Sequence, residues 1–268
     1  MKLAVSNIAW DGPEQSVILT ELPSLGVGGL EVAPTKLWPG WMGADLVAAG
    51  LARQSIEALG MQIPALQSVL FGLPDLQLFG SEDSRRKLVM HLALVAGLAG
   101  TLGASAIVFG SPRNRDRGGL SHAQAIDRSI PVLRAIGDAC AAAGTCFCLE
   151  PNPAVYNCNF LTHWQDVAEL AARVDHPGVG IHLDTACIHL AGDDTVEALI
   201  ACGGMMRHFH ISEPELGSFT NPVIDHGRIG AALRASSYTG YVSIEMRRQV
   251  DPAMSVKEAI AYAVAQYG

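Results

Sequence analysis

Cys146-Phe-Cys-Leu-Glu-Pro-Asn-Pro153 reads as a short apolar strand that stops on a carboxylate. Four residues of buried type followed by Glu150 and a proline fit a strand covered on both faces, whose last residue emerges from the core. A charge at that point needs a cation or water beside it. Cys146, Cys148 and Glu150 alternate along the strand and so share one of its faces.

The same pattern recurs on both sides of this stretch. Upstream lie KLAVSNIAW from Lys2, GGLEVAP from Gly28, MQIPALQSVLF from Met61 and ASAIVFG from Ala104; downstream lie GVGIHLD from Gly178, MMRHFHIS from Met205 and YVSIE from Tyr241. Helical spacing of apolar residues fills the intervals, over 14–25, 44–59, 84–102, 122–143, 163–174, 195–202, 228–236 and 255–266. Pro131 falls inside one of these helices and predicts a kink or break there. Eight near-continuous apolar strands alternating with eight helices predict a closed parallel (β/α)8 barrel, with residues 1–268 as one domain. The rival, an open doubly wound sheet, calls for a Gly-rich phosphate turn after the first strand, and SNIAWDGPEQ from Ser6 has none.

A chain of 268 residues suits one such barrel, and 49% apolar against 16% charged residues implies a large core. The net charge of −8 argues against broad binding to nucleic acid or to anionic membrane, which leaves a small molecule as the expected partner. The uncharged run 92–110 reads as a helix end, a stop at Gly103 and a strand, rather than a membrane span. The N-terminus enters a strand at once, with no apolar signal core, and the six cysteines form no CxxC pair. Reduced thiols that fill small core spaces, in a cytoplasmic protein, are the expectation.

In a βα barrel the strand C-termini meet at one rim, where catalytic groups sit. Four consecutive strands end on a residue that can hold a metal: Glu150, Asp184, His210 and Glu245, each about one βα unit from the next. Three carboxylates and one imidazole form an oxygen-rich set that suits Mn²⁺, Mg²⁺ or Co²⁺, and Zn²⁺ less well.

VFGSPRNR after the fourth strand, LEPNP, LDT, HFHISE and YVSIEM together resemble the xylose isomerase-like barrel superfamily, in its sugar-phosphate isomerase/epimerase branch. Members of that group include D-tagatose 3-epimerase, hydroxypyruvate isomerase, inosose dehydratase and, more distantly, endonuclease IV. The resemblance implies that Glu150, Asp184, His210 and Glu245 are the ligands of a divalent metal, Mn²⁺ first among the candidates. It further implies that Glu150 and Glu245 are the acid/base pair, moving a proton through a metal-stabilised enediolate of a sugar, sugar phosphate or related hydroxyketone. An inosose-dehydratase-like lyase on the same site and a catalytically silent sugar-binding barrel are the alternatives. A dimer or tetramer is also implied by resemblance. Ketose 3-epimerases have a His three residues after the strand-six aspartate and an Arg six after the strand-seven histidine; here Cys187 and Leu216 stand there. A simple ketose 3-epimerase is therefore disfavoured.

Other rim residues are candidates for substrate contact. Arg113 and Arg115 could clamp a phosphate or carboxylate, or simply belong to a solvated loop. Arg247 offers a similar choice. Asn152, Cys187 and Glu213 adjoin the candidate ligands, and His182 lies two residues before Asp184 with inward parity, as do His208, Glu31 and Gln67 on their strands. Trp10, Tyr156 and Phe71 are candidates for an apolar wall beside a sugar, with core packing equally open. His226 resembles a zinc-binding position of the nuclease relatives, while a cap at Asp225 explains the same segment.

Overall fold

The computed structural model describes residues 1–268. The strands are β1 Lys2–Ser6, β2 Val27–Glu31, β3 Ala65–Leu66, β4 Ala106–Phe109, β5 Cys146–Leu149, β6 Val179–Asp184, β7 Met206–Ile211 and β8 Tyr241–Ile244. The helices are α1 Gly12–Glu21, α2 Pro34–Leu37, α3 Leu46–Glu57, α4 Glu82–Leu102, α5 His122–Ala142, α6 Trp164–Val174, α7 Thr185–Leu190, α8 Thr195–Cys202, α9 His226–Ala235 and α10 Pro252–Tyr267. All strand pairs are parallel, in the order β2-β1-β8-β7-β6-β5-β4-β3. Two isolated parallel bridges, Gly29 with Gln62 and Val32 with Leu66, bring the ends of that series together. The chain is a single (β/α)8 barrel.

Short polar side chains start the helices by accepting otherwise orphaned N–H groups, as Asp45, Ser81, Ser121, Asp194, Asp225 and Asp251 do. Gly103 ends α4 in the left-handed conformation at φ 81°, and the turn divides the uncharged run 92–110 between that helix and β4.

 No helix is long and apolar enough to cross a membrane.

Three local expectations are corrected. The third strand shrinks from the run Met61–Phe71 to Ala65–Leu66, because Pro64 has no N–H to give and Ser68 turns the chain at φ 55. Pro131 does not break its helix; α5 runs through it. The helices α2 and α7 were not expected, since each begins directly beyond a strand or its short extension and is too brief to show a period.

Alternation sorts each strand. Outward residues such as Ile107, Phe147, Leu149, Ile181, Leu183 and Phe209 join a buried apolar cluster of 64 residues between strands and helices. Inside, Ala65, Ala106, Cys146 and Cys148 form a separate small cluster. Above it the lining becomes polar, with Glu31, His182 and His208 all buried.

Candidate active site

Glu150 follows β5, Asp184 ends β6, His210 lies near the end of β7 and Glu245 follows β8. Asp184 and His210 are register partners, which puts them at one level of the rim. His210 Nδ1 lies 3.2 Å from Glu245 Oε2 and 3.8 Å from Asp184 Oδ2. Its other nitrogen, Nε2, lies 2.9 Å from Glu31 Oε1. Glu150, His182, Asp184 and His210 each offer one donor atom, all within 4.8 Å of one another. Glu245 stands outside that tightest group and joins it through His210.

Each carboxylate is held by neighbours. Asn152 Nδ2 donates to Glu150 Oε2 at 2.9 Å. Ser212 Oγ donates to Asp184 Oδ2 at 2.6 Å, and the Cys187 amide to Asp184 Oδ1 at 2.6 Å. Gln67 Nε2 donates to Glu245 Oε1 and to Ser6 Oγ, both at 2.8 Å. Gly110 passes so close to Glu150 that a Cβ there would collide with Oε2.

The electrostatics fit a cation. Glu150, Asp184, Glu245 and Glu31 make ion pairs with histidines and with no Lys or Arg. Burial, then the Glu245 and Glu150 carboxylates, push Asp184 up to about 6. Burial raises Glu150, but His182, His210 and Asn152 outweigh it and hold the group below the usual range. Burial opposes a charge on His210, yet Glu31 and Glu245 on its two sides push its pKa well up. His182 is driven down to about 4, chiefly by burial, and is neutral at pH 7. Both of its ring nitrogens and Glu31 Oε2 are buried without a hydrogen-bond partner. Carboxylates converging on an imidazole whose far nitrogen is fixed by another carboxylate suit a hard divalent ion.

A cavity of about 900 Å³ opens above this cluster. Glu150, Glu245, Asn152, Cys187 and Arg113 line it, as do Tyr156 and Phe71. Four other candidates sit elsewhere. Arg115 is wholly buried outside the cavity lining and donates to the Glu150 carbonyl at 2.7 Å, bracing the strand end. Glu213 is buried against His226 Nε2 at 2.9 Å and the Val223 amide at 3.0 Å. Trp10 is in the core, and Arg247 is exposed outside the cavity. All four lie beyond the ends of their strands, where the chain is no longer extended and alternation does not fix the direction of a side chain. His182 lies beneath Glu150, 3.5 Å from its Oε1, away from the open space. Asp225 caps α9, accepting from the Arg228 amide at 3.0 Å. Ser212, Gln67, Glu31 and Gly110 shape the cluster; inward parity signalled Gln67 and Glu31, and nothing in the sequence marked Ser212 or Gly110.

Fold and site together define a (β/α)8 barrel with a carboxylate–histidine cluster on its C-terminal rim. The chain belongs to the family described as xylose isomerase-like TIM barrel, whose model matches residues 19–265. Its structure is similar to 3-keto-D-glucoside 4-epimerase YcjR from E. coli, at TM-score 0.81 and 19% identity over 99% of both chains. It is also similar to D-psicose 3-epimerase from Clostridium cellulolyticum H10, at TM-score 0.83 and 16% identity over 100% of this chain and 99% of that one. A third likeness is to the IOLI protein solved with a zinc atom, at TM-score 0.76 and 18% identity over 99% and 96%. At these identities the likeness concerns the fold. Comparison with curated proteins finds no match.

Proposed function

We propose that this protein is a divalent-metal-dependent isomerase or epimerase of a sugar-type hydroxyketone. The observation that carries the reading is the convergence of Glu150 and Glu245 on the cavity, with Asp184 and His210 beside them. That sugar epimerases share the fold supports it. Glu150, Asp184, His210 and Glu245 would hold the cation, with Mn²⁺ the first choice for an oxygen-rich set. When bound, such an ion polarises a substrate carbonyl and stabilises the negative charge that develops as the neighbouring C–H ionises.

The chain's own groups do the rest. Glu150, held below the usual carboxylate range, is ionised and can accept the proton. Asn152 fixes the oxygen of Glu150 that it touches, and Gln67 does the same for Glu245, so both carboxylates are oriented before substrate arrives. Glu245 would deliver to the substrate a proton drawn from solvent, while Glu150 gives up to solvent the one it took, so no net proton is consumed.

Glu150→Gln removes the charge and keeps the shape. We expect solvent deuterium incorporation into the substrate to fall about 10²–10⁴-fold, with weaker metal binding. Full exchange activity after exhaustive chelation would sink the proposal.

A further inference from the structure

The cavity is larger than a bare ketose requires. At about 900 Å³ it lies near the top of the roughly 300–1,000 Å³ range of pockets that take drug-sized ligands. Its floor is polar, with Glu150, Glu245, Gln67 and Asn152. Part of its wall is apolar: the segment after β3 supplies Leu70, Phe71 and Leu73, and the loop after β7 supplies Leu216. Phe71 is 70% exposed, a large ring held in water at the cavity's edge.

Positions 187 and 216 both face this cavity, and they carry Cys and Leu. A thiol is a weak donor and a Leu side chain is none. Sugar hydroxyls set against them would give up water and gain no partner. Leu216 is also held at φ 55, in the left-handed region that a Leu rarely adopts. Its neighbours impose that conformation: the Glu215 amide donates to Tyr156 Oη at 2.9 Å, and the Arg247 amide donates to the Leu216 carbonyl at 2.9 Å. Strain kept in place by surrounding bonds is a mark of ligand-clamping segments.

We propose that the substrate is a hydroxyketone sugar bearing an apolar aglycone, with its sugar end at Glu150 and Glu245 and its aglycone against Phe71, Leu73 and Leu216. This rests on the isomerase reading above. Arg113 is the one cation lining the cavity, which makes phosphate the competing substituent.

The test follows solvent deuterium, by mass spectrometry, into a free 3-ketohexose, its 6-phosphate and its phenyl glycoside, whose ketone lies away from the anomeric carbon and stays free, using manganese-loaded protein. The expected result is a kcat/KM at least tenfold higher for the phenyl glycoside. Phe71→Ala and Leu216→Arg should each cut that preference at least fivefold. Equal or greater kcat/KM with the free sugar overturns the aglycone and leaves the isomerase reading intact. A preference for the phosphate that Arg113→Ala abolishes overturns it as well. No exchange into any of the three, with manganese bound stoichiometrically, overturns both readings.

Discussion

Gly110 shows how a single residue can carry a site without any chemistry of its own. Its missing side chain makes room for Glu150 Oε2, the oxygen that Asn152 also holds. Gly110→Ala should cost about 1–3 kcal/mol in stability. Because the displaced atom is the end of a flexible side chain, the larger loss should be in deuterium exchange, measured beside urea unfolding. Wild-type exchange in that variant would show that the placement of Glu150 is not critical. Protonation acts at the same scale. Asp184 is raised from 3.8 to about 6, so between those values the folded chain keeps a proton that the unfolded chain has released. Through this group, stability of chelator-treated protein falls as pH rises across that window. A cation must displace the proton, so calorimetry should find Mn²⁺ affinity lower at pH 5 than at pH 7.5. Glu150, Asp184, His210 and Glu245 were legible as candidates because each ends an apolar run with a charged or titratable residue. Arg115 and Glu213 lie outside the cavity lining, in irregular segments where only the fold decides which way a side chain turns.

At the scale of elements, the apolar runs located all eight strands but overstated β3, where Pro64 and the left-handed Ser68 override the hydrophobic signal. The long helices were legible from caps and period; α2 and α7 were too short to have one. Pro131 belongs here too. It lies on the exposed side of α5 and cannot donate to the carbonyl of Asp127. Replacing it with Ala should restore that bond and stabilise the protein by about 1–3 kcal/mol, seen as a higher urea midpoint. An unchanged midpoint would mean that α5 has adapted fully to the ring.

Across the whole molecule, the barrel has one thin seam. Between β2 and β3 there are only isolated bridges, with the Leu30, Val32, Gln62 and Gln67 amides bonded across them. From β5 to β8 each ladder runs over three or four residue pairs, with one irregularity between Ile181 and His182. Hydrogen exchange should therefore find the Val32 and Gln67 amides less protected than those of Leu183 and Phe209. Equal protection would show that the barrel opens only as one unit.

Asp184 uses its two oxygens differently. One accepts from the first turn of α7, and the other faces Ser212 and His210. Glu150 and Glu245 accept only from side chains. In a lineage that gave up turnover, drift would be free to erase the two glutamates, while the helix would go on selecting for the aspartate. Retention of both glutamates is thus better testimony to a living reaction than retention of Asp184.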